Sequence, residues 1–285
     1  ISQAAAPAAG EYRALVCLFL SGGNDSFNML VPREASAYAT YRSVRADLGL
    51  APEELIDIHP TGLPTFGVHG GMPQVASLFE SGKAAFVANV GTLIERVANR
   101  AQVEQNLRRL PLGLYSHSDQ AEQWQTSIPH SRSGIGWGGR MSDLLRELNA
   151  NQTVPMQVSL NGSNLWQTGN RVAEYAIRPE GAVGLTGYNE TWEQYQDLGN
   201  AVGAAVDSQL GQQYSNLLAQ TFNTRKRQAL DAYKIFSSAT AAPLPAKVTF
   251  PNTFTGQRLA MVARAIQGRA GIGVTRQTFF VERTG

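Results

Sequence analysis

The sequence predicts an α/β protein of three layers, α/β/α, with a mostly parallel central sheet, and three observations carry that expectation. Continuous apolar runs of strand length end at glycine or polar turn residues, as strands buried on both faces do. Between them lie stretches with apolar residues at helical spacing. The two kinds of segment alternate along the chain, the order that puts helices on both faces of a parallel sheet.

Residues 12–20 form the first apolar run, closed by Ser21-Gly22-Gly23, and read as a strand buried on both faces. Ser36 to Leu48 is helical, with Tyr38, Tyr41 and Val44 or Arg45 on one side. Met72, Val75, Leu78 and Phe79 make a second helical stripe that Gly82 stops, and Ala84 to Val90 follows as a second buried strand. Met156 to Leu160 is a strand closed by Asn161-Gly162. Gln209 to Phe236 is one long amphipathic helix carrying Leu210, Tyr214, Leu217, Leu218, Phe222, Leu230 and Tyr233. Leu259, Val262, Ala263 and Ile266 mark a last helix, and Gln277 to Val281 a last strand.

There is no internal repeat, and Ala239 to Pro245 is too short for an interdomain tether. Residues 12–285 therefore read as a single domain behind a flexible tail at 1–11. The small residues of that tail fit either the surroundings of a signal-peptidase cut or an ordinary free terminus. The last strand runs almost directly into Gly285, where a doubly wound sheet continues with a loop and a covering helix; the domain is expected to be incomplete at its C-terminus.

With 285 residues, 43% of them hydrophobic, the chain can bury a large core. Its net charge is only +2, its charged fraction 16%, and its arginines are scattered, which argues against nucleic acid as a partner. No apolar run approaches the ~20 residues of a membrane-spanning helix. Cys17, alone within an apolar run, has no internal disulfide partner and reads as a buried, inert thiol.

Ligands of open α/β sheets gather at the carboxyl ends of strands. The first such place is Ser21-Gly22-Gly23-Asn24-Asp25-Ser26, where Asp25 either offers carboxylate oxygen to a metal ion or caps its own turn. The hexapeptide also resembles the phosphate-gripping loop of the ATP pyrophosphatases. In those enzymes a long helix follows at once, whereas here Asn28-Met29-Leu30-Val31-Pro32 is extended and Pro32 disfavours a helix. The second place is Tyr115-Ser116-His117-Ser118-Asp119-Gln120, a helix start. Ser116 or Ser118 can cap it, a serine there is either a nucleophile or a plain cap, and His117 is either a metal ligand or proton carrier or a surface side chain. His59 and His69 flank a Pro/Gly-rich loop without metal-ligand spacing, and His130 sits in an exposed turn.

Four passages, in this order, resemble domain-of-unknown-function family 1501, bacterial proteins exported by the twin-arginine route. They are Leu18 to Asn28, Phe66-Gly67-Val68-His69, Ser116 to Gln120, and Gly136-Trp137-Gly138-Gly139-Arg140-Met141, joined by Arg276 to Val281. The resemblance covers essentially the whole chain and implies an alkaline-phosphatase and sulfatase type of fold in a periplasmic or extracellular protein. It implies a divalent metal (zinc, calcium or magnesium) at Asp25, a nucleophile at Ser116 beside His117, and contacts from Asn24 and Arg140 to a small anionic ester or polymer. Members of that family continue into further Asp- and His-bearing segments, the first of which should begin where this chain stops, at Arg283-Thr284-Gly285. A site of Asp25, Ser116 and His117 alone is open, since a catalytic zinc takes three protein ligands. Three functions stand beside one another: a metal-dependent phosphate or sulfate ester hydrolase; a non-catalytic binding protein using aromatics such as Trp124, Trp137, Trp166 and Trp192; and an adenylating ATP pyrophosphatase.

Overall fold

The computed structural model describes residues 11–22, 24–188 and 195–284. In chain order its strands are β1 (Arg13–Ser21), β2 (Leu30–Pro32), β3 (Leu55–Ile58), β4 (Phe66–His69), β5 (Gln157–Ser159), β6 (Tyr175–Ala176) and β7 (Arg276–Thr284). Its helices are α1 (Ala35–Arg45), α2 (Pro73–Glu80), α3 (Arg100–Glu104), α4 (His117–Thr126), α5 (Trp137–Leu145), α6 (Gln196–Gly211), α7 (Leu217–Ala239), α8 (Phe254–Gln267) and α9 (Arg269–Ile272). The chain gathers into two compact units, one of the residues up to Ser21 with Thr92–Thr284, the other of Gly22–Gly91. The tail expected at residues 1–11 lies, apart from Glu11, outside the described residues.

The larger unit is built on a four-stranded parallel sheet in the order β1-β7-β5-β6. Successive side chains of a strand point to opposite faces, and β7 uses both. Phe279 and Val281 enter a core with Ala232 and Phe236 of α7 and Met261, Val262 and Ala265 of α8, all nearly inaccessible. On the other face Phe280 stacks on Trp166, ring centres 6.0 Å apart. Buried Gln167 donates from Nε2 to the hydroxyl and carbonyl of Thr278 and to the Val158 carbonyl. Each fully buried large side chain here contributes about 1.5–3 kcal/mol over an exposed one.

The Gly-Trp-Gly-Gly passage has a steric explanation. A side chain at Gly136 would strike the Leu165 and Trp166 carbonyls, one at Gly138 the Trp166 ring, and one at Gly139 the backbone of Thr168. Only glycine lets α5 lie this close to segment 165–169. Asn149 ties this region to β7: its Oδ1 accepts from the Thr275 and Arg276 amides and its Nδ2 donates to the Arg276 carbonyl.

The smaller unit holds a three-stranded antiparallel sheet, β2-β4-β3. With α2 it encloses Ile58, Val68 and Ala76. Gly67 is needed where β4 meets β3, because a Cβ there would come within 2.8 Å of Leu55 Cβ.

Three expectations are corrected. β1 does form, but at the edge of its sheet and not buried on both faces: Leu15, Val16, Leu18 and Leu20 are each about 40% exposed. An apolar run specifies a strand without specifying its place in the strand order. Residues 84–90 make no strand: no described strand lies beside them, and Val87 is 81% exposed. Phe86 turns inward, against Phe79. The single helix expected over 209–236 is two helices. Gln212 is extended, and Asn216 caps a new helix by accepting from the Leu218 and Ala219 amides. Asn223 then donates to the Leu210 and Gln212 carbonyls, satisfying the end of α6. The break leaves Leu217, Leu218 and Phe222 more than two-thirds exposed.

Candidate functional site

The carboxyl ends of β5 and β6 open onto a cavity of about 430 Å³. Its position follows from the turn that ends β5. Ser159 donates its hydroxyl to the Gly162 carbonyl and accepts from the Asn161 amide. Gly162, at φ 69°, takes the left-handed conformation the turn requires. Asn161 is locked to β7, its Oδ1 accepting from the Glu282 amide and its Nδ2 donating to the Glu282 carbonyl. Beyond β6 the Arg178 and Gly181 amides and carbonyls bond reciprocally, making a tight turn over the same cavity.

Two arginines line this cavity, Arg178 and Arg258. Arg258 is held from two sides: Nε donates to the Leu160 carbonyl and Nη1 to the Phe254 carbonyl, with the group lying over the Phe254 ring. Burial lowers its pKa from the ordinary guanidinium value while the Glu180 charge acts the other way; the group remains a cation. Among the described residues neither its Nη2 nor any side-chain nitrogen of Arg178 has a hydrogen-bond partner. Two cations with unused N–H donors at strand carboxyl ends are suited to a carboxylate, phosphate or sulfate. Sequence reading singled out the Asn161-Gly162 turn but neither arginine. The available signal was position: Arg178 and Pro179 directly follow a short strand, and Arg258 lies on a helix facing it.

Of the residues expected to form the site, Asn24 and Asp25 belong to the smaller unit and Ser116, His117 and Arg140 to the larger. In the smaller unit, Asn24 donates to the Met29 sulfur at 3.4 Å, and Asp25 forms an ion pair with Arg45. The chain turns there through one 3-10 turn, Ser26–Asn28, into β2, not into a long helix. In the larger unit Ser116 is the N-cap of α4, its Oγ accepting from the Asp119 amide and lying 3.2 Å from Ser118 Oγ. The Ser116 hydroxyl and then the Arg132 guanidinium hold the Asp119 carboxyl below the usual range. His117 is exposed. Arg140 donates to the Thr126 and Ile135 carbonyls. It therefore serves the far end of α4, a helix about 15 Å long, and not the end carrying Ser116.

Among the described residues no three His, Cys, Asp or Glu side chains stand together as metal ligands. To take up a divalent cation, the Asp25 carboxylate would have to give up its pairing with Arg45. His69 Nδ1 accepts from the Gly71 amide, a loop-packing role, while His59 lies near Glu80. Of the tryptophans, Trp166 is buried, Trp124 and Trp137 are partly exposed, and Trp192 is outside the described residues. Cys17 is half-buried, and burial pushes its thiol up to about 11. No family model, no curated protein and no solved structure matches the chain.

Proposed function

We propose that this chain binds a small oxyanion-bearing ligand, a phosphate or sulfate ester, at the carboxyl ends of β5 and β6. The observation that carries the reading is the pair Arg178 and Arg258 with unused donors on one cavity. The sequence resemblance to family 1501, and through it to the alkaline-phosphatase and sulfatase fold, supports an ester over a simple carboxylate and an exported, periplasmic or extracellular setting. Each charge-assisted hydrogen bond contributes about 1.5–3 kcal/mol, so loss of one guanidinium weakens binding roughly ten- to a hundredfold. Arg178→Gln is the clean variant, because that side chain bonds to no described residue. Calorimetric titration with inorganic phosphate and with sulfate should show heat for wild type and a weaker constant for Arg178→Gln. Equal constants for the two proteins would remove the cavity from consideration.

Hydrolysis of such an ester is the second reading, supported by Ser116 at the start of α4 with His117 beside it. It predicts turnover of an aryl phosphate or aryl sulfate when zinc, calcium or magnesium is supplied, and loss of turnover in Asp25→Ala and Ser116→Ala. Unchanged rates in both variants would leave binding as the whole function. An adenylating activity at the Ser21–Ser26 loop predicts protection by ATP and magnesium against thermal unfolding. The single turn and strand after that loop make no helix start for a pyrophosphate.

A further inference from the structure

The first turns of α7 project Leu217, Leu218 and Phe222 into solvent at 78%, 79% and 70% exposure, with Tyr214 of the preceding loop 38% exposed. Large apolar side chains left exposed together at one end of a helix are a candidate contact surface. Successive helical residues turn by about 100°, so Leu217, Leu218, Phe222 and Arg225 share one side of the helix. Lys226 borders that side, which faces away from buried Asn223 and Leu230. No Asp or Glu occurs from Ser208 to Leu230, a segment that carries Arg225, Lys226 and Arg227. Arg227 is paired with Asp207, whereas Arg225 meets only Gln228, and Lys226 bonds to no described residue. Arg225 also lines a cavity of about 860 Å³ together with Arg146 and Arg171; Glu174 and Asp231 share its wall, leaving an excess of one positive charge.

We propose that this helical tip docks on the surface of an anionic lipid bilayer. An apolar helix tip with cations beyond it suits shallow, end-on insertion at the headgroup and acyl boundary, where apolar side chains enter by about 5–10 Å. Leu218 and Arg225 are seven residues apart, about 10 Å along the helix. When the tip enters, Arg225 and Lys226 stand at phosphate depth, and Tyr214 belongs to the aromatic class that favours that boundary. Charge decides for lipid over a second copy of the chain, since two such tips would bring like charges together. No described helix is long and apolar enough to cross the membrane.

The test is co-sedimentation of the purified protein with vesicles of phosphatidylcholine alone and of phosphatidylcholine mixed with phosphatidylglycerol. Wild type should sediment with the mixed vesicles, much less with the neutral ones, and be released by salt as surface charge is screened. Leu218→Ser with Phe222→Ser should lower binding tenfold or more. Arg225→Gln with Lys226→Gln should weaken binding and flatten its salt dependence. Because all four side chains lie outside the core, circular dichroism and the thermal midpoint should be unchanged in both variants. The proposal is overturned if wild type ignores the mixed vesicles or if the Ser double variant binds as wild type does. Self-association in solution that the same Ser substitutions abolish would overturn it too.

Discussion

Gly139→Ala is expected to destabilise the protein although it replaces a helical glycine by the best helix former. In an open helix the change gains about 1 kcal/mol. At Gly139 the added Cβ would lie 2.5 Å from the Gly169 nitrogen and nearer still to the Thr168 carbonyl group, closer than real Cβ contacts occur. Those atoms are backbone and cannot swing aside as a flexible side chain does, so α5 or segment 168–169 must move. Overpacking of this kind costs about 1–3 kcal/mol, and backbone obstruction places the site at the upper end of that range. The net loss is then about 2 kcal/mol, which for a chain of this size lowers the thermal midpoint by roughly 4–8 °C. Gly211→Ala, at the end of α6, is the control: nothing lies within 4 Å of a Cβ there. It should gain up to about 1 kcal/mol, raising the midpoint by about 2–4 °C. Thermal unfolding followed by tryptophan fluorescence compares both variants with wild type, Trp137 at the start of α5 and Trp166 packed against it being the reporters. A Gly139→Ala protein as stable as wild type, or more so, refutes the steric account of the glycine passage.

Asn149→Ala removes the side chain that fixes the start of β7 and leaves two amides and a carbonyl short of a partner. A loss of about 2–4 kcal/mol in urea unfolding is expected; a loss below about 1 kcal/mol would show that water replaces the asparagine without penalty. For Asp143, burial raises the pKa, but the amides of Asn170, Arg171 and Val172 outweigh it and the net shift is downward. A depressed folded pKa means that its stabilisation is present above the unfolded value, ~3.9, and is lost as pH falls through the folded value. Asp143→Asn should therefore lower stability at neutral pH and flatten the decline as pH falls below the unfolded value; an unchanged acid limb would assign that decline to other carboxylates. Leu18→Lys on exposed β1 should reduce light scattering on heating, since a charge blunts an open sheet edge, with a stability change of about 1 kcal/mol or less. Unchanged scattering would mean that association proceeds through another surface.

What could be read from the sequence was local. The runs at 12–20, 156–160 and 277–281 became β1, β5 and β7 because a continuous apolar segment of that length between turn residues has few other solutions. The short antiparallel sheet escaped notice because β2, β3 and β4 have three or four residues each, too few for a period to show. The break between α6 and α7 did have a local signal, the polar run Gln212-Gln213-Tyr214-Ser215-Asn216 ahead of Leu217. Helical spacing on both sides of that run masked it, because a stripe of apolar residues reports periodicity and not continuity.

The glycine passage shows why motif and chemistry separate at the candidate site. Gly136, Gly138 and Gly139 stand out in the sequence, yet what they satisfy is the approach of segment 165–169, about thirty residues away along the chain. Arg140 stands out with them and is used on the Thr126 and Ile135 carbonyls. Arg178 and Arg258 form no pattern, because eighty residues separate them and only the fold brings both to one cavity. Spacing identifies residues that act through neighbours in sequence, such as Ser116 capping Asp119. A binding site assembled from a strand end and a facing helix carries no spacing at all. Its signature is a cation with unused donors at the end of a strand, and that becomes visible only when the strand order is known.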